Sequence, residues 1–219
     1  MRVVIAGGHG KIALILEQLL SARGDDVAGL IRNPDQADDL RAAGAEAVVV
    51  DLERASVDEV ADALRGADAV VFAAGAGPGS GAARKQTVDR DAAILLADAA
   101  EAAGVSRYVM VSAMAADDRS LDAGYDEVFL AYMHAKSEAD ADVRARTALR
   151  TTIVRPGGLT DEPGTGKVTI AESTGRGTIP RADVAQVMLA VLHEPETAGR
   201  TFEVISGQTP IDAALHPTR

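Results

Sequence analysis

The sequence predicts an α/β fold built on a doubly wound parallel sheet. Two observations predict this fold. Short apolar runs alternate with longer helical segments through the first two thirds of the chain, and the first run ends at a glycine turn that leads into a helix. Each run is apolar without alternation, which is typical of a strand buried on both faces. Strands that alternate with helices in this way form parallel sheets with right-handed crossovers.

The pattern places the predicted elements in order along the chain. Strands are predicted at Val3–Ala6, Val27–Ile31, Ala47–Val50, Ala69–Ala73, Tyr108–Ser112, Thr151–Val154, near Lys167–Ile170, and at Thr201–Ile205. Segments rich in Ala, Leu and Glu with helical spacing predict helices. These helices cover about residues 11–22, 35–43, 56–65, 83–103, 126–147 and 182–193.

The chain changes character after Arg155. Pro156-Gly157-Gly158 is followed by further glycines and prolines, which helices and central strands do not accommodate. The tail that follows is too short for an independent domain. We therefore predict one domain over residues 1–219, in which residues 156–219 form a small lobe on the substrate side. This lobe is expected beside the carboxyl ends of the strands, where open parallel sheets bind their ligands.

Composition excludes several classes of partner. The chain has 219 residues, a formal net charge of -11 and no Cys. Nucleic acids and anionic membranes are bound by clustered Lys and Arg, so the acidic balance argues against both. The absence of Cys excludes disulfides, and no apolar stretch has the length of a membrane span. We expect a cytoplasmic protein that binds a small-molecule substrate and no metal; its oligomeric state, monomer or dimer, is left open.

The glycine turn GGHGKIA at residues 7–13 is the first candidate site. A strand that delivers such a turn to a helix N-terminus leaves backbone N–H groups free for a pyrophosphate. Gly7 permits the tight turn, Gly10 lets a phosphate approach the backbone, and Ala13 lies where a small residue packs helix on strand. The residues predicted to contact a dinucleotide here are Gly7, His9, Gly10, Lys11 and Ile12.

Arg32 predicts which dinucleotide is bound. It follows the second predicted strand, about twenty residues after the glycine turn, where an acidic residue would bind the ribose of NAD. A permanently charged, planar guanidinium suits a 2′-phosphate, which favours NADP over NAD; a solvated surface arginine is the alternative. Asp51, after the third strand, either accepts from the adenine amino group or caps the next helix. Gly75 and Gly77 either approach the cofactor or form a flexible loop.

Tyr132 and Lys136 are the strongest catalytic signal. Lys136 follows Tyr132 by four positions in a predicted helix, so the two side chains share one face. Proton transfer to a carbonyl at neutral pH requires a phenol whose pKa lies below its free value near 10, and a nearby Lys cation lowers it. Ser112, at the end of the fifth predicted strand, is predicted to hold the substrate oxygen.

The sequence resembles the short-chain dehydrogenases/reductases, specifically the atypical group of NAD(P)-binding, epimerase/dehydratase-like members. Their Rossmann fold agrees with the predicted sheet. The resemblance rests on GGHGKIA (7–13), IRNP (31–34), Asp51-Leu52, Ala73-Ala74-Gly75, VDRDAAILLADAA (88–100), RYVMVSA (107–113), YMHAK (132–136) and IVRPGGLTDEP (153–163). It covers about three quarters of the chain and is much less specific for a reaction than for the superfamily.

The resemblance implies roles for these residues. Tyr132 is the acid/base, Lys136 lowers its pKa and holds the nicotinamide ribose, and Ser112 anchors the carbonyl. The backbone after Pro156, at Gly157 and Gly158, lies near the carboxamide, while Leu52, Ala73 and Ala74 belong to the cofactor site. Asp89 stands where many relatives have an Asn that positions a water on the Lys. Asp89 therefore either alters the proton relay or has a structural role.

Three functions follow from these predictions. The first is an NADP-dependent oxidoreductase that transfers hydride between nicotinamide and a small carbonyl or alcohol, with Tyr132 as acid/base. The second, an epimerase or dehydratase, uses the same groups, but the tail leaves little room for the substrate domain of sugar-nucleotide enzymes. The third is a non-catalytic, redox-sensing NADP-binding regulator, a class that tends to lose the Tyr. Substrate identity cannot be read from the loops.

Overall fold

A computed structural model of the chain describes residues 1–77, 79–118, 120 and 124–216. Its main strands are β1 (Arg2–Ala6), β2 (Asp26–Ile31), β3 (Glu46–Val49), β4 (Ala69–Phe72), β5 (Arg107–Val111), β6 (Arg150–Pro156), β7 (Gly158–Thr160), β8 (Lys167–Ala171), β9 (Thr178–Pro180), β10 (Thr201–Ser206) and β11 (Thr209–Pro210). Its α-helices are α1 (Lys11–Ala22), α2 (Ala37–Ala42), α3 (Val57–Ala63), α4 (Ala82–Arg84), α5 (Ala92–Ala102), α6 (Glu127–Ala145), α7 (Arg181–His193) and α8 (Ile211–Leu215).

In the part of the chain that the structure describes, nine strands form one sheet in the order β11-β8-β10-β6-β5-β4-β1-β2-β3. The seven neighbouring strands β3, β2, β1, β4, β5, β6 and β10 run parallel to one another. Strand β8 is antiparallel to β10, and β11 is antiparallel to β8. The chain starts in the sheet interior, where Val3 of β1 pairs with Val27 on one side and Ala69 on the other. This arrangement confirms the predicted doubly wound fold.

Hydrophobic clusters cover both faces of the sheet. Along β1, Val3 and Ile5 belong to the cluster that packs under α1 and α7, whereas Val4 and Ala6 belong to the cluster under α3, α5 and α6. Successive side chains of a strand point to opposite faces, so every residue of β1 after Arg2 is buried. The strands have unbroken apolar sequences because both faces of the sheet are buried.

The helix predicted over residues 83–103 has an irregular centre. It begins as α4, continues as a π-helical segment at Lys85–Asp91, and ends as α5. π-Helical turns occur frequently at functional sites because they re-aim side chains within a helix. In this chain the turn carries Lys85 and Asp89 toward the carboxyl ends of β4 and β5.

The segment after Pro156 divides between two sheets. Its β8, β10 and β11 extend the main sheet, whereas β7 and β9 pair in parallel as a separate two-stranded sheet. The short elements β7, β9, β11 and α8 were not expected from the sequence. The assignment of residues 156–219 to a lobe of a single domain stays a prediction.

Candidate cofactor and substrate site

The glycine turn between β1 and α1 has the geometry of a phosphate cradle. Gly7 has a φ of +81°, and a Cβ there would lie 2.6 Å from the Cα of Ala74. Gly10 caps α1 without a side-chain hydrogen bond, and the first turn of the helix carries no acidic residue. The first amides of a helix lack intrahelical partners and attract anions. Gly7 is thus required by the close approach of the turn to Ala74, and the turn leaves backbone donors for a pyrophosphate.

A groove runs to either side of this turn. One part, of about 280 Å³, lies toward β2 and β3, and the other, of about 730 Å³, lies toward β5 and α6. Both parts are bounded by Gly10, Ala73, Ala74 and Gly75, so they meet at the glycine turn. The residues fit a dinucleotide, whose two nucleosides would occupy the two parts while its pyrophosphate rests on the turn.

The smaller part of the groove gathers the predicted adenosine-side residues. Its lining includes Gly7, His9, Arg32, Asp51 and Leu52. His9 pairs with Asp39 at 2.7 Å rather than standing alone. Asp51 accepts a hydrogen bond from the amide of Glu53, whereas Ser56 caps α3. The alternative that Asp51 caps the next helix is therefore wrong.

Glu53 binds both Arg32 and Arg84 in the smaller part of the groove, and the sequence analysis did not predict this role. Its carboxylate accepts from Arg32 at 2.8 Å, from Arg84 at 2.8 Å and from Thr87 at 2.8 Å. These contacts lower the pKa of Glu53, with the Arg84 hydrogen bond as the largest cause. The Arg32 side chain is exposed and shares the Glu53 carboxylate with Arg84. It belongs to a pair of guanidiniums held by one carboxylate.

The larger part of the groove brings the predicted catalytic residues together. Lys11, Ile12, Asp89, Ser112, Tyr132 and Lys136 all line it. Helix α6 is capped by Asp126, whose carboxylate accepts a hydrogen bond from the amide of Phe129. The helix places Tyr132 and Lys136 on one face. The Lys136 ammonium lies 5.9 Å from the centroid of the Tyr132 ring. The spacing in the sequence predicted this proximity.

Asp89 forms a buried ion pair with Lys136. The two side chains are 1% and 4% exposed, and Asp89 Oδ1 lies 3.3 Å from Lys136 Nζ. Lys136 also donates to the carbonyl of Val111 at 3.3 Å, and the other oxygen of Asp89 accepts from the amide of Ala76 at 3.2 Å. Asp89 therefore has two roles. It holds the loop after β4 through the amide of Ala76, and it balances the charge of Lys136.

The Tyr132 hydroxyl does not have the lowered pKa that its spacing from Lys136 predicted. Burial raises the pKa of Tyr132 above its usual value, and the carboxylates of Asp89 and Asp140 raise it further. A carboxylate disfavours ionisation of a neighbouring phenol, and the ion pair with Asp89 offsets the Lys136 charge. In the free chain Tyr132 is a protonated hydroxyl at neutral pH.

Ser112 lies at the end of β5 with its hydroxyl buried. Its Oγ forms no hydrogen bond of standard geometry within the described chain. Burial raises the pKa of Asp140, while Arg155 and the nearby Ser112 hydroxyl oppose that shift. Arg155 donates to Asp140 at 2.8 Å and to Asp117 at 2.8 Å. Arg155 is therefore occupied as a structural cation beneath the groove.

Pro156, Gly157 and Gly158 line neither part of the groove. Their backbone is used by strand pairing: the amide of Gly157 donates to Val204, and that of Gly158 donates to Gly177. The expected position beside a carboxamide is therefore not supported by the geometry. Leu159, the next residue, does reach the larger part of the groove.

The comparisons with known proteins decide the family. A family model described as NAD(P)H-binding matches residues 7–195, which include the glycine turn, Tyr132 and Lys136. The chain belongs to this NAD(P)H-binding family. A Bacillus subtilis (strain 168) protein named uncharacterized sugar epimerase YhfK is 41% identical over 98% of this chain and 99% of its own length. The family includes proteins named as epimerases and as oxidoreductases.

Solved structures agree with this family assignment. A Bacillus halodurans protein, whose name places it among NAD-dependent epimerases/dehydratases, has a TM-score of 0.91 at 37% identity and covers 100% of both chains. The anaerobilin reductase ChuY of Escherichia coli O157:H7 has a TM-score of 0.77 at 25% identity, covering 94% of this chain and 97% of its own. The Rossmann-like fold is thus shared over nearly the whole chain.

The described residues contain neither a membrane-spanning helix nor a metal-binding cluster. No helix there combines the length and apolar character that crossing a bilayer requires. The same residues contain no cluster of three or more His, Asp or Glu side chains suited to a metal ion.

Proposed function

We propose that this member of the NAD(P)H-binding family is an NADPH-dependent reductase of a small carbonyl or conjugated compound. One observation carries the proposal: the groove that starts at the glycine turn ends at Ser112, Tyr132 and Lys136. A bound NADPH would supply a hydride there. The name of the E. coli neighbour, a reductase, supports the same reaction class.

The chain's own residues supply the proton and the orientation. As the carbonyl carbon gains a hydride, the Tyr132 hydroxyl donates its proton to the carbonyl oxygen, which yields the alcohol and leaves a phenolate for solvent to reprotonate. Ser112 donates a hydrogen bond to the same oxygen in this proposal, because it lines the same end of the groove as Tyr132. The raised pKa of Tyr132 keeps its hydroxyl protonated at neutral pH, which is the form that reduction of a carbonyl uses. The reducing direction is part of this proposal.

The proposal is tested by following NADPH oxidation at 340 nm with quinones, aldehydes, ketones and flavins. We expect turnover of at least one class. If the chain binds NADPH tightly and oxidises it with none of them, the reductase proposal fails. Transient oxidation, as in an epimerase, would instead convert a sugar nucleotide to its epimer without net consumption of NADPH, and that product is detected by chromatography.

We expect Arg32→Ala to weaken NADPH binding about tenfold or more and to leave NADH binding nearly unchanged. An arginine–phosphate hydrogen bond contributes roughly 1.5–3 kcal/mol, and only NADPH carries the 2′-phosphate. Glu53→Gln should strengthen NADPH binding, because it removes the carboxylate that pairs with Arg32 and Arg84. Fluorescence titration with both cofactors measures the effect, and Arg65→Ala, an exposed arginine at the end of α3, is the control. Equal losses for NADPH and NADH would contradict the assignment of NADP.

The Asp89–Lys136 ion pair favours a second candidate function, a regulator that binds NADPH without turnover. Neutralising Lys136 removes the cation that would activate Tyr132 for oxidation. A regulator would bind NADPH and NADP⁺ with different affinities and turn over none of the compounds above. Retention of Ser112, Tyr132 and Lys136 around one cavity supports the enzyme instead.

We expect Asp89→Asn to lower the pKa of Tyr132. The carboxylate of Asp89 raises that pKa, and its removal leaves the ammonium groups of Lys85 and Lys136, 5.4 and 5.9 Å from the centroid of the ring, without that opposing carboxylate. The chain contains three tyrosines, so each can be followed by its ¹³Cζ chemical shift during a pH titration. An unchanged titration of Tyr132 in the variant would show that Asp89 does not control this hydroxyl.

A further inference from the structure

The cavity around Tyr132 is cationic although the chain as a whole is acidic. Its lining includes four cations, Lys11, Lys85, Lys136 and Arg181, against two carboxylates, Asp89 and Asp126. The formal net charge of the chain is -11. Clefts lined by one sign of charge attract ligands of the opposite sign. This end of the groove is therefore suited to an anion beyond the pyrophosphate.

Most of these cations are already paired. Asp89 neutralises Lys136, and Asp161 binds both Lys11 and Arg181 with distances of 2.6 Å to each. Lys85 differs from them. Within the described part of the chain it has no carboxylate within ion-pair distance, and its one hydrogen bond goes to the carbonyl of Gly77 at 3.0 Å.

Lys85 is also buried beside the acid/base. It is 9% exposed, it lies on the π-helical turn, and its ammonium is 5.4 Å from the centroid of the Tyr132 ring. A buried ammonium without a counter-ion is costly, and a carboxylate that enters the cavity would remove much of that cost. The cation is therefore placed for a ligand that reaches Tyr132.

Apolar side chains line the same end of the cavity. Phe129 stacks on Tyr125 with ring centroids 4.5 Å apart, and Val128 and Leu159 are each 38% exposed at the cavity. Exposed apolar side chains grouped around a cavity are typical of a binding site for an apolar surface. Among the described residues, the lining thus combines an apolar wall with one cation, Lys85, that has no carboxylate partner.

We propose that the substrate is an apolar carbonyl compound bearing a carboxylate, and that Lys85 binds this carboxylate. That this compound is a substrate rests on the proposed reductase function, whereas binding of an anion at Lys85 does not depend on turnover. In this proposal Lys85 selects substrates that bear a carboxylate, and Tyr132 donates the proton.

The test uses naphthalene-2-carboxylate and naphthalene-2-carboxamide, which match in shape and differ in charge. Their binding to the full chain saturated with NADP⁺ is measured by titration calorimetry. We expect the carboxylate to bind at least tenfold more tightly than the carboxamide. Lys85→Met should abolish this preference and Lys85→Arg should retain most of it. Lys167→Met, the lysine outside the cavity, is the matched control and should behave as the unchanged chain.

Several results of these titrations would overturn the proposal. Equal affinity for the two probes, no carboxylate binding at millimolar concentration, or an unchanged preference in Lys85→Met overturns the proposal. It is also overturned if Lys85→Met weakens NADPH binding as much as carboxylate binding, since Lys85 would then serve the cofactor. Thermal unfolding of Lys85→Met and Lys85→Arg separates these effects from loss of the Gly77 contact. If NADPH is never oxidised but the carboxylate preference persists, the reductase function fails and the anion site stands.

Discussion

Replacing Glu17 with glutamine is expected to raise the free energy of unfolding by roughly 3 kcal/mol at pH 7 and by about 5 kcal/mol above pH 8. Glu17 is completely buried in α1, and neither carboxyl oxygen has a hydrogen-bond partner in the described chain. Burial raises its pKa from 4.5 to about 8. An ideal Cβ at Gly8 or Gly29 would lie 3.0 or 2.6 Å from Glu17 Oε1, so the carboxyl packs beneath the glycine turn.

The sign of the pH dependence follows from that raised pKa. Between pH 4.5 and about 8 the folded chain keeps the Glu17 proton that the unfolded chain releases. Stability therefore falls as pH rises through this window, because the folded state binds more protons than the unfolded state. The contribution is fully present below pH 4.5 and fully lost above about 8. Glutamine does not titrate, so the variant should lack this part of the pH dependence.

Denaturant unfolding at pH 5, 7 and 8.5 measures the effect. The expected gain above pH 8 corresponds to an increase of roughly 10–20 °C in Tm for a chain of this size. Glu162→Gln is the control, since Glu162 is an exposed side chain in the loop after β7. Parallel stability curves for Glu17→Gln and the unchanged chain across these pH values would refute the prediction.

The sheet and the glycine turn were predictable because their causes are local. Continuous apolar runs such as Val3–Ala6 can only be buried on both faces, and Gly7 permits a backbone conformation that side chains disfavour. The buried position of Glu17 was also within reach. It lies on the helical stripe of Ala13, Leu16 and Leu20, all fully buried, and that spacing predicts an inward-facing carboxyl.

The resemblance to relatives with an Asn at position 89 placed Asp89 near Lys136, but the rest of the electrostatics of the candidate site was not predictable because it depends on contacts distant in sequence. The spacing of Tyr132 and Lys136 predicted an activated phenol, but Asp89 reaches Lys136 from a π-helical turn that no sequence periodicity marks. The same turn presents Lys85 to the Tyr132 ring. Arg84 likewise meets Glu53 across 31 residues. Pairing of this kind follows from topology and not from local pattern.

Tyr132→Phe is expected to lower kcat for NADPH-dependent reduction by about 100- to 10,000-fold, the usual contribution of a positioned proton donor. Affinity for NADPH should change little, because the substitution removes only the hydroxyl. Tyr125→Phe is the matched control. Tyr125 lies just before the N-cap of α6, and its hydroxyl accepts a hydrogen bond from Arg176 at 3.1 Å.

The pH profile distinguishes a proton donor from a bystander. Burial and the Asp89 carboxylate raise the pKa of Tyr132, so its hydroxyl stays protonated through the neutral range. Reduction should therefore proceed at a nearly constant kcat between pH 6 and 9, whereas alcohol oxidation, which needs the phenolate, should speed up as pH rises. In Tyr132→Phe both rates should be low and the rise of the oxidation rate with pH should be absent. A variant that keeps its kcat would remove Tyr132 from the chemistry and leave hydride delivery without an assigned acid.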